Sequence, residues 1–125
     1  MTAFPTYFPE QCPPADVEPA SGVVYRLVKN APVTEEDFKT HHETSRCKKA
    51  DPCMRMGLSV LRELKDAVHQ RKVLPVLGKY ISKASLKSHH GLTKLTGGQR
   101  PSHTTWWPYV DVQRAEPFEL VEAEQ

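Results

Sequence analysis

The stretch from residue 103 to residue 112 concentrates side chains that can stack on a flat ligand. If the stretch is a strand, alternation sends Trp106 toward one face and sends Trp107 and Tyr109 toward the other. Two aromatic rings that lie two residues apart on an exposed face have the spacing of a platform for nucleic-acid bases. If helices cover that face, both rings belong to the core, because large aromatic side chains bury most of their area in a small fold. The pattern leaves both alternatives open.

A second set of side chains has the chemistry of zinc ligands: His41, His42, Cys47 and Cys53. Their spacing is poor for this purpose, because Cys-x5-Cys is wider than the Cys-x2-Cys of common zinc sites. Adjacent histidines also rarely reach one ion. The sequence therefore predicts no metal site, and we expect no cofactor.

The cysteines and the apolar runs give an expectation for the compartment. Cys12, Cys47 and Cys53 are sparse and odd in number, which is typical of reduced thiols rather than of a disulfide framework. No run approaches the ~20 apolar residues of a membrane span, and the N-terminus lacks the basic and apolar regions of a signal peptide. We expect a cytoplasmic protein without a membrane partner.

Positive charge is concentrated in residues 46–100. Thirteen Lys and Arg stand against three acids there, so the segment is ten units positive, whereas each flank is four units negative. The net charge of +2 conceals this layout. The asymmetry indicates a polyanionic partner, which is either nucleic acid or an acidic protein surface. The predicted nucleic-acid-binding residues are Lys48, Lys49, Arg71, Lys72, Lys79, Lys83, Lys87, Trp107 and Tyr109.

The first 22 residues differ in composition from the rest of the chain. They contain five prolines together with Phe4, Tyr7 and Phe8, a composition that favours extended backbone over helix. We predict a proline-rich arm over residues 1–22, whose aromatic rings dock on the domain or on a partner, and a single α+β domain over residues 23–125.

Hydrophobic periodicity places strands and helices in this domain. The expected fold is a small, mostly antiparallel sheet with about two helices packed on one face. In the second helix, Leu61, Leu64 and Val68 form the core stripe and Asp66 is nearer the solvent. The strand over residues 79–86 exposes a basic face. Predicted strands are 23–29, 57–61, 79–86, 92–96, 103–112 and 117–121, and predicted helices are 34–43, capped by Thr34, and 62–72.

Two short strand motifs resemble a known enzyme family. Val-Val-Tyr25-Arg26-Leu on the first strand and Gly-Leu-Ser59-Val on the next, followed by a strand-rich ending, are similar in element order to the ADP-ribosyltransferase fold. In that family a first-strand Arg and a second-strand Ser help to hold NAD, and a later Glu completes the site. The resemblance implies that Arg26 and Ser59 bind NAD. Glu122 and Glu124 have the right residue type for the Glu but lie at the chain end with no strand after them.

Three functions follow from these observations. The leading prediction is a small binding protein, without catalysis of its own, that engages nucleic acid through residues 46–100 within a larger assembly. The alternative is a protein-interaction module that docks through the proline-rich arm and the Trp/Tyr strand, with the basic face on an acidic partner. The third is an NAD-using enzyme of the ADP-ribosyltransferase type. No Gly-x-Ser-x-Gly, His-Glu-x-x-His, Walker or Rossmann pattern is present in the sequence to favour another catalytic class.

Overall fold

The computed structural model describes residues 3–98 and 100–121. In this part of the chain, a sheet of seven antiparallel strands dominates over two short helices, so the mixed α+β class and the antiparallel sheet are confirmed. Single 3₁₀ turns lie at Glu35–Phe38, Pro75–Leu77 and Ser88–His90. The regular elements are β1 (Glu18–Pro19), β2 (Gly22–Val28), α1 (Pro52–Arg55), β3 (Leu58–Leu61), α2 (Leu64–Val73), β4 (Tyr80–Leu86), β5 (Gly91–Leu95), β6 (His103–Pro108) and β7 (Phe118–Leu120).

The sheet is divided near its middle. Its strand order is β1-β5-β6-β3-β2-β4-β7, and β2 pairs with β4 along its whole length. Between β2 and β3, however, the described sheet has a single paired position, Tyr25 opposite Leu61. The halves β1-β5-β6-β3 and β2-β4-β7 therefore meet at this junction and separate beyond it. This opening leaves backbone groups and side chains of both halves facing one another.

Apolar side chains cover both faces of the sheet. On one face, Trp106 packs against Phe118, which also contacts Phe38, with ring centroids 5.9 Å and 4.6 Å apart. On the other face, α2 places Ala67 against the cluster of Leu27, Leu61 and Ile81. Full burial of a large aliphatic or aromatic side chain stabilises the fold by about 1.5–3 kcal/mol, so these two clusters hold the halves of the sheet together.

Trp107 is not part of an exposed stacking platform. Its side chain is 0% exposed, and its indole Nε1 donates to the carbonyl oxygen of Cys53 at 3.0 Å. Tyr109 is half-buried, and its ring lies 5.1 Å from the ring of Phe4. The exposed-platform alternative is therefore wrong, because the segment before β3 and the N-terminal segment cover this face of β6.

Two further residues that were expected to be exposed are buried on or beneath α2. Ile81, expected on the exposed basic face of β4, is fully buried beneath α2, although Lys83 and Ser85 on the same face are exposed. Asp66, expected toward solvent, is only 6% exposed. Its carboxylate accepts hydrogen bonds from the backbone N–H and the hydroxyl of Ser102, and these bonds hold the pKa of Asp66 below its ordinary value.

The first predicted helix is reduced to one turn. Thr34 and Asp37 form the expected capping box, but the turn ends at Phe38, which is fully buried. Arg26 Nε donates to the Asp37 carbonyl oxygen at 3.0 Å. That oxygen is the acceptor that a continuing α-helix would offer to residue 41. The backbone of Lys39 is extended, so the turn ends there, and Arg26 supplies a donor to this carbonyl in place of the missing helical one.

The N-terminal segment packs against the domain instead of extending from it. Phe8 stacks on Phe4, and the Tyr7 ring lies 4.5 Å from the ring of His42. A disulfide joins Cys12 to Cys53, 41 residues apart in sequence, so the expectation of three reduced thiols is wrong. The chain then enters the sheet as β1, which pairs with β5. Among the described residues, none of the helices combines the length and the apolar character needed to cross a bilayer.

Burial of Trp107 predicts its effect on stability. Trp107→Ala should lower the free energy of unfolding by ~3–5 kcal/mol, as expected for a buried tryptophan, because it empties the ring's site and removes the indole donor to the Cys53 carbonyl. Denaturant unfolding followed by circular dichroism measures the loss. Val76→Ala is the control, since Val76 is 72% exposed, and should change stability by less than ~0.5 kcal/mol. Near-native stability of Trp107→Ala would instead support the alternative in which Trp107 is exposed.

Candidate functional site

A cleft of about 560 Å³ lies where the two halves of the sheet separate. Its floor is apolar and includes Leu27 and Leu61, and the exposed Leu77 lies at its side. Polar walls come from β2, β3 and β6, from α1, from residues 39–41, from residues 96–98 and from Arg100. This volume is within the range of pockets that bind small molecules, about 300–1,000 Å³.

Arg26 of β2 spans the opening between the halves. Its Nη1 donates to the carbonyl oxygen of Ser59 on β3 at 2.8 Å, and its guanidinium carbon lies 5.5 Å from the centre of the Phe38 ring. Burial lowers the pKa of Arg26 to about 10. The guanidinium therefore remains positively charged at neutral pH and is held in one position by two carbonyl oxygens and an aromatic ring.

The walls of the cleft are cationic. Besides Arg26 they include Lys39, Arg55 and Arg100, and none of the described lining residues is an Asp or a Glu. The pKa of His41 is lowered first by burial and then by the positive charges of Arg26, Arg46 and Arg55. A depressed histidine pKa of this origin indicates a positive local potential.

Arg100 carries an unused donor in this cleft. Its Nε is buried and has no hydrogen-bond acceptor among the residues that the structure describes. An unpaired buried donor costs free energy, and for a charged group more than for a neutral one.

A chain of hydrogen bonds lies along the β3 and β6 side of the cleft. His103 Nε2 is 3.0 Å from the hydroxyl oxygen of Ser59, and its Nδ1 is 2.8 Å from the hydroxyl oxygen of Thr96. Ser59 is exposed to the cleft, whereas His103 is half-buried. Burial lowers the pKa of His103, so the imidazole is neutral at pH 7 and one ring nitrogen is available as a base.

The structure brings together the two residues that the family resemblance selected. Arg26 and Ser59 line the same cleft and are joined by a hydrogen bond. Glu122 and Glu124 lie outside the described residues. In the described ranges, 3–98 and 100–121, no three His, Cys, Asp or Glu side chains are arranged to hold a metal ion.

Two of the predicted basic residues lie far apart. Lys79 and Lys87 flank the two ends of β4, so they are separated by roughly 25 Å at ~3.3 Å per strand residue. Arg71 is half-buried near the carbonyl oxygen of Lys79. The lysines of the set are exposed, and none of them lines the cleft: Lys48, Lys49, Lys72, Lys79, Lys83 and Lys87.

Sequence reasoning missed most of the cleft. Lys39, Arg55 and Arg100 come from segments far apart in the chain, and no local pattern joins them. For His103 a signal existed, because alternation places it on the same face of β6 as Thr105. Its meaning depends on the register of β6 against β3, which pairs Ser59 with Thr105, and that register cannot be obtained from either strand alone.

Comparisons with protein-family models, with curated proteins and with solved structures find no match to this chain.

The lowered pKa values of three histidines indicate how the stability of the protein depends on pH. Burial lowers the pKa values of His41, His90 and His103 below 6.5, so the unfolded chain takes up protons before the folded chain does. Stability is then present above pH 6.5 and falls as the pH is lowered from 7.5 to 5.5. Ordinary carboxylates titrate below this range. Urea unfolding at several pH values measures the slope, and His103→Gln should flatten it. A stability that rises toward pH 5.5 would contradict the prediction.

Proposed function

We infer that the protein binds a phosphate-bearing nucleotide of the NAD class in this cleft. The observation that carries the proposal is the charge of the cleft, whose described lining has four Lys or Arg side chains, Arg100 among them, and no carboxylate. Such a site favours anions, since low-dielectric walls strengthen the attraction between cations and a bound anion. Guanidinium groups suit phosphate oxygens because their donors form a planar fork.

The two surfaces of the cleft favour a nucleotide over a simple anion. Cationic groups on the walls match a pyrophosphate, whereas the apolar floor, with Leu27 and Leu61, matches a base or a nicotinamide ring. Binding sites for cofactors commonly combine an apolar lining with a few placed polar groups. The hydrogen bond between Arg26 and Ser59 is also consistent with the roles that the family resemblance implies for these residues.

Calorimetric titration with NAD, ADP-ribose, AMP and pyrophosphate tests the proposal. NAD and ADP-ribose should bind more tightly than pyrophosphate alone, because only they also reach the apolar floor. Arg100→Ala should weaken NAD binding by about 10- to 100-fold, the equivalent of one charge-assisted hydrogen bond. It removes the buried donor from the cleft.

The matched control is Lys87→Ala, which removes one positive charge at an exposed position outside the cleft. Its affinity for NAD should change less than about threefold, because charges beyond a Debye length are screened. Equal losses in Arg100→Ala and Lys87→Ala, or no binding of NAD by the wild-type protein at millimolar concentration, would refute the cleft as a nucleotide site.

Binding of nucleic acid is a second proposal, favoured by the exposed lysines of residues 46–100. Lys48 and Lys49 are exposed on a turn, and Lys72 is exposed near the end of α2. These positions are available to phosphates and lie outside the cleft. This proposal includes no stacking of bases on Trp107, because the ring is buried.

Reversing Lys48, Lys49, Arg71 and Lys72 to Glu should abolish retention on heparin and on single-stranded RNA, because binding to phosphates depends on charge neutralisation and counterion release. The same variant should keep its calorimetric affinity for NAD. Unchanged retention would exclude the nucleic-acid proposal, and retention lost only with Arg100→Ala would place the nucleic acid in the cleft.

A further inference from the structure

The turn that follows α2 carries a dense group of exposed apolar side chains. Eight large apolar residues are exposed in the part of the chain that the structure describes, and half of them fall within five consecutive positions: Val73 (50%), Leu74 (42%), Val76 (72%) and Leu77 (44%). Pro75 between them is exposed as well. Single exposed apolar residues are common on protein surfaces, whereas a contiguous group marks an interaction surface. We call residues 73–77 the apolar turn.

Backbone hydrogen bonds hold the apolar turn in one conformation. The N–H of Leu74 donates to the carbonyl oxygen of Gln70 at 2.8 Å, and the N–H of Leu77 donates to the carbonyl oxygen of Leu74 at 3.1 Å. Gly78, which follows the turn, is packed so closely on the backbone of Val28 that a Cβ would collide with it. The turn therefore exposes its apolar side chains on a fixed backbone.

The charges beside the apolar turn are positive. Lys72 precedes it, Lys79 follows it after one residue, and both lysines are exposed. Arg71 Nη1 donates to the carbonyl oxygen of Lys79 at 3.5 Å, so the basic residues on the two sides of the turn lie close together. Residues 67–79 contain no Asp or Glu, and Asp66, the nearest acid in the sequence, is only 6% exposed. This combination fits a partner that is both apolar and anionic.

We propose that the apolar turn docks the protein on an anionic lipid surface. Val76, in the middle of the turn, is the most exposed large apolar side chain among the described residues, and it does not line the cleft. An apolar anchor of a protein or peptide needs a groove to receive it, whereas a projecting side chain enters the acyl boundary of a bilayer without shape complementarity. Lysines beside such a side chain are attracted to anionic lipid headgroups.

The expectation of no membrane partner came from the absence of a run of ~20 apolar residues. A turn that lies in the headgroup region needs no such run. A single short apolar group gives only weak binding to a bilayer, and basic residues beside it strengthen the attachment. Lys72 and Lys79 supply this second contribution. Both lysines lie outside the cleft lining, so the lipid contact is independent of the nucleotide site.

Sedimentation with vesicles tests the docking surface on the full chain. The protein should sediment with vesicles of two parts phosphatidylcholine to one part phosphatidylserine, and should stay in solution with phosphatidylcholine alone. Val76→Gln keeps the charge and should weaken binding about tenfold or more, because each apolar carbon that enters the acyl boundary contributes about fourfold.

The matched control is Val23→Gln. Val23 is 44% exposed and lies on β2, roughly 16 Å from Val28 at ~3.3 Å per strand residue, and Val28 is the residue that Gly78 contacts. This variant should bind the anionic vesicles as the wild type does.

The contribution of charge is measured separately. Lys72→Gln and Lys79→Gln should each weaken binding to the anionic vesicles about fivefold, and this loss should shrink as salt is added. Lys87→Gln, which lies beyond the opposite end of β4 from Lys79, should change binding less than about twofold, since charges farther than a Debye length are screened.

Tryptophan fluorescence reports entry of the turn into the bilayer. Trp106 and Trp107 are the only tryptophans of the chain, and both are fully buried. Val76→Trp therefore adds one exposed reporter, whose emission should shift to shorter wavelength with anionic vesicles and be quenched by lipids brominated in the acyl chain. The wild-type emission should not change.

Three results would overturn the proposal. The first is the absence of sedimentation with anionic vesicles. The second is an equal loss of binding in Val76→Gln and Val23→Gln, or vesicle binding by Val76→Trp without quenching, because the lipid would then attract charge alone. The third is a wild-type dimer in analytical ultracentrifugation that Val76→Gln abolishes, which would assign the apolar turn to a second copy of the chain.

Discussion

The rest of the structure depends on the hydrogen bonds that the Arg26 guanidinium makes between the two halves of the sheet. It lies where β2 and β3 part after a single paired position, and there it donates to the carbonyl oxygens of Ser59 and Asp37. Backbone carbonyls at the edge of an opened ladder need donors, because an unsatisfied buried polar group is costly. One side chain thus bridges the opening of the sheet, because it supplies donors both to the carbonyl at the end of the 3₁₀ turn and to the backbone of Ser59.

Positive charge is distributed differently along the sequence and in the folded molecule. Along the sequence, residues 46–100 are strongly basic, but most of the lysines that make them so are exposed and do not line the cleft. In the fold, Arg26 and Lys39 from the acidic N-terminal flank join Arg55 and Arg100 in one cleft. Exposed charges are screened by water and salt, whereas charges in a cleft are not. The local concentration of cations is therefore the more informative feature.

The N-terminal segment is a structural part of the domain. The disulfide between Cys12 and Cys53 ties it to the residues that precede β3, and Cys53 also accepts the indole proton of Trp107. Ring contacts from Phe4 to Tyr109 cover the end of β6. The aromatic residues expected to dock on the domain or on a partner thus contact the domain. A disulfide is rare in the reducing cytosol, and the cytoplasmic location stays a prediction.

The sequence by itself determined the local elements of this protein. Alternation located β2 and β4, apolar spacing located α2, and the Thr34 to Asp37 spacing located a capped turn, because each depends on residues that are neighbours in the chain. Tertiary structure alone decided which faces are covered. Alternation therefore left the burial of Trp107 open, and apolar spacing wrongly put Asp66 near the solvent. It also decided the site: Arg26 and Ser59 were selected by resemblance, but Thr96, His103 and Arg100 join them only through strand register and the divided sheet. Register and closure are set by contacts between distant segments, and no local pattern encodes them.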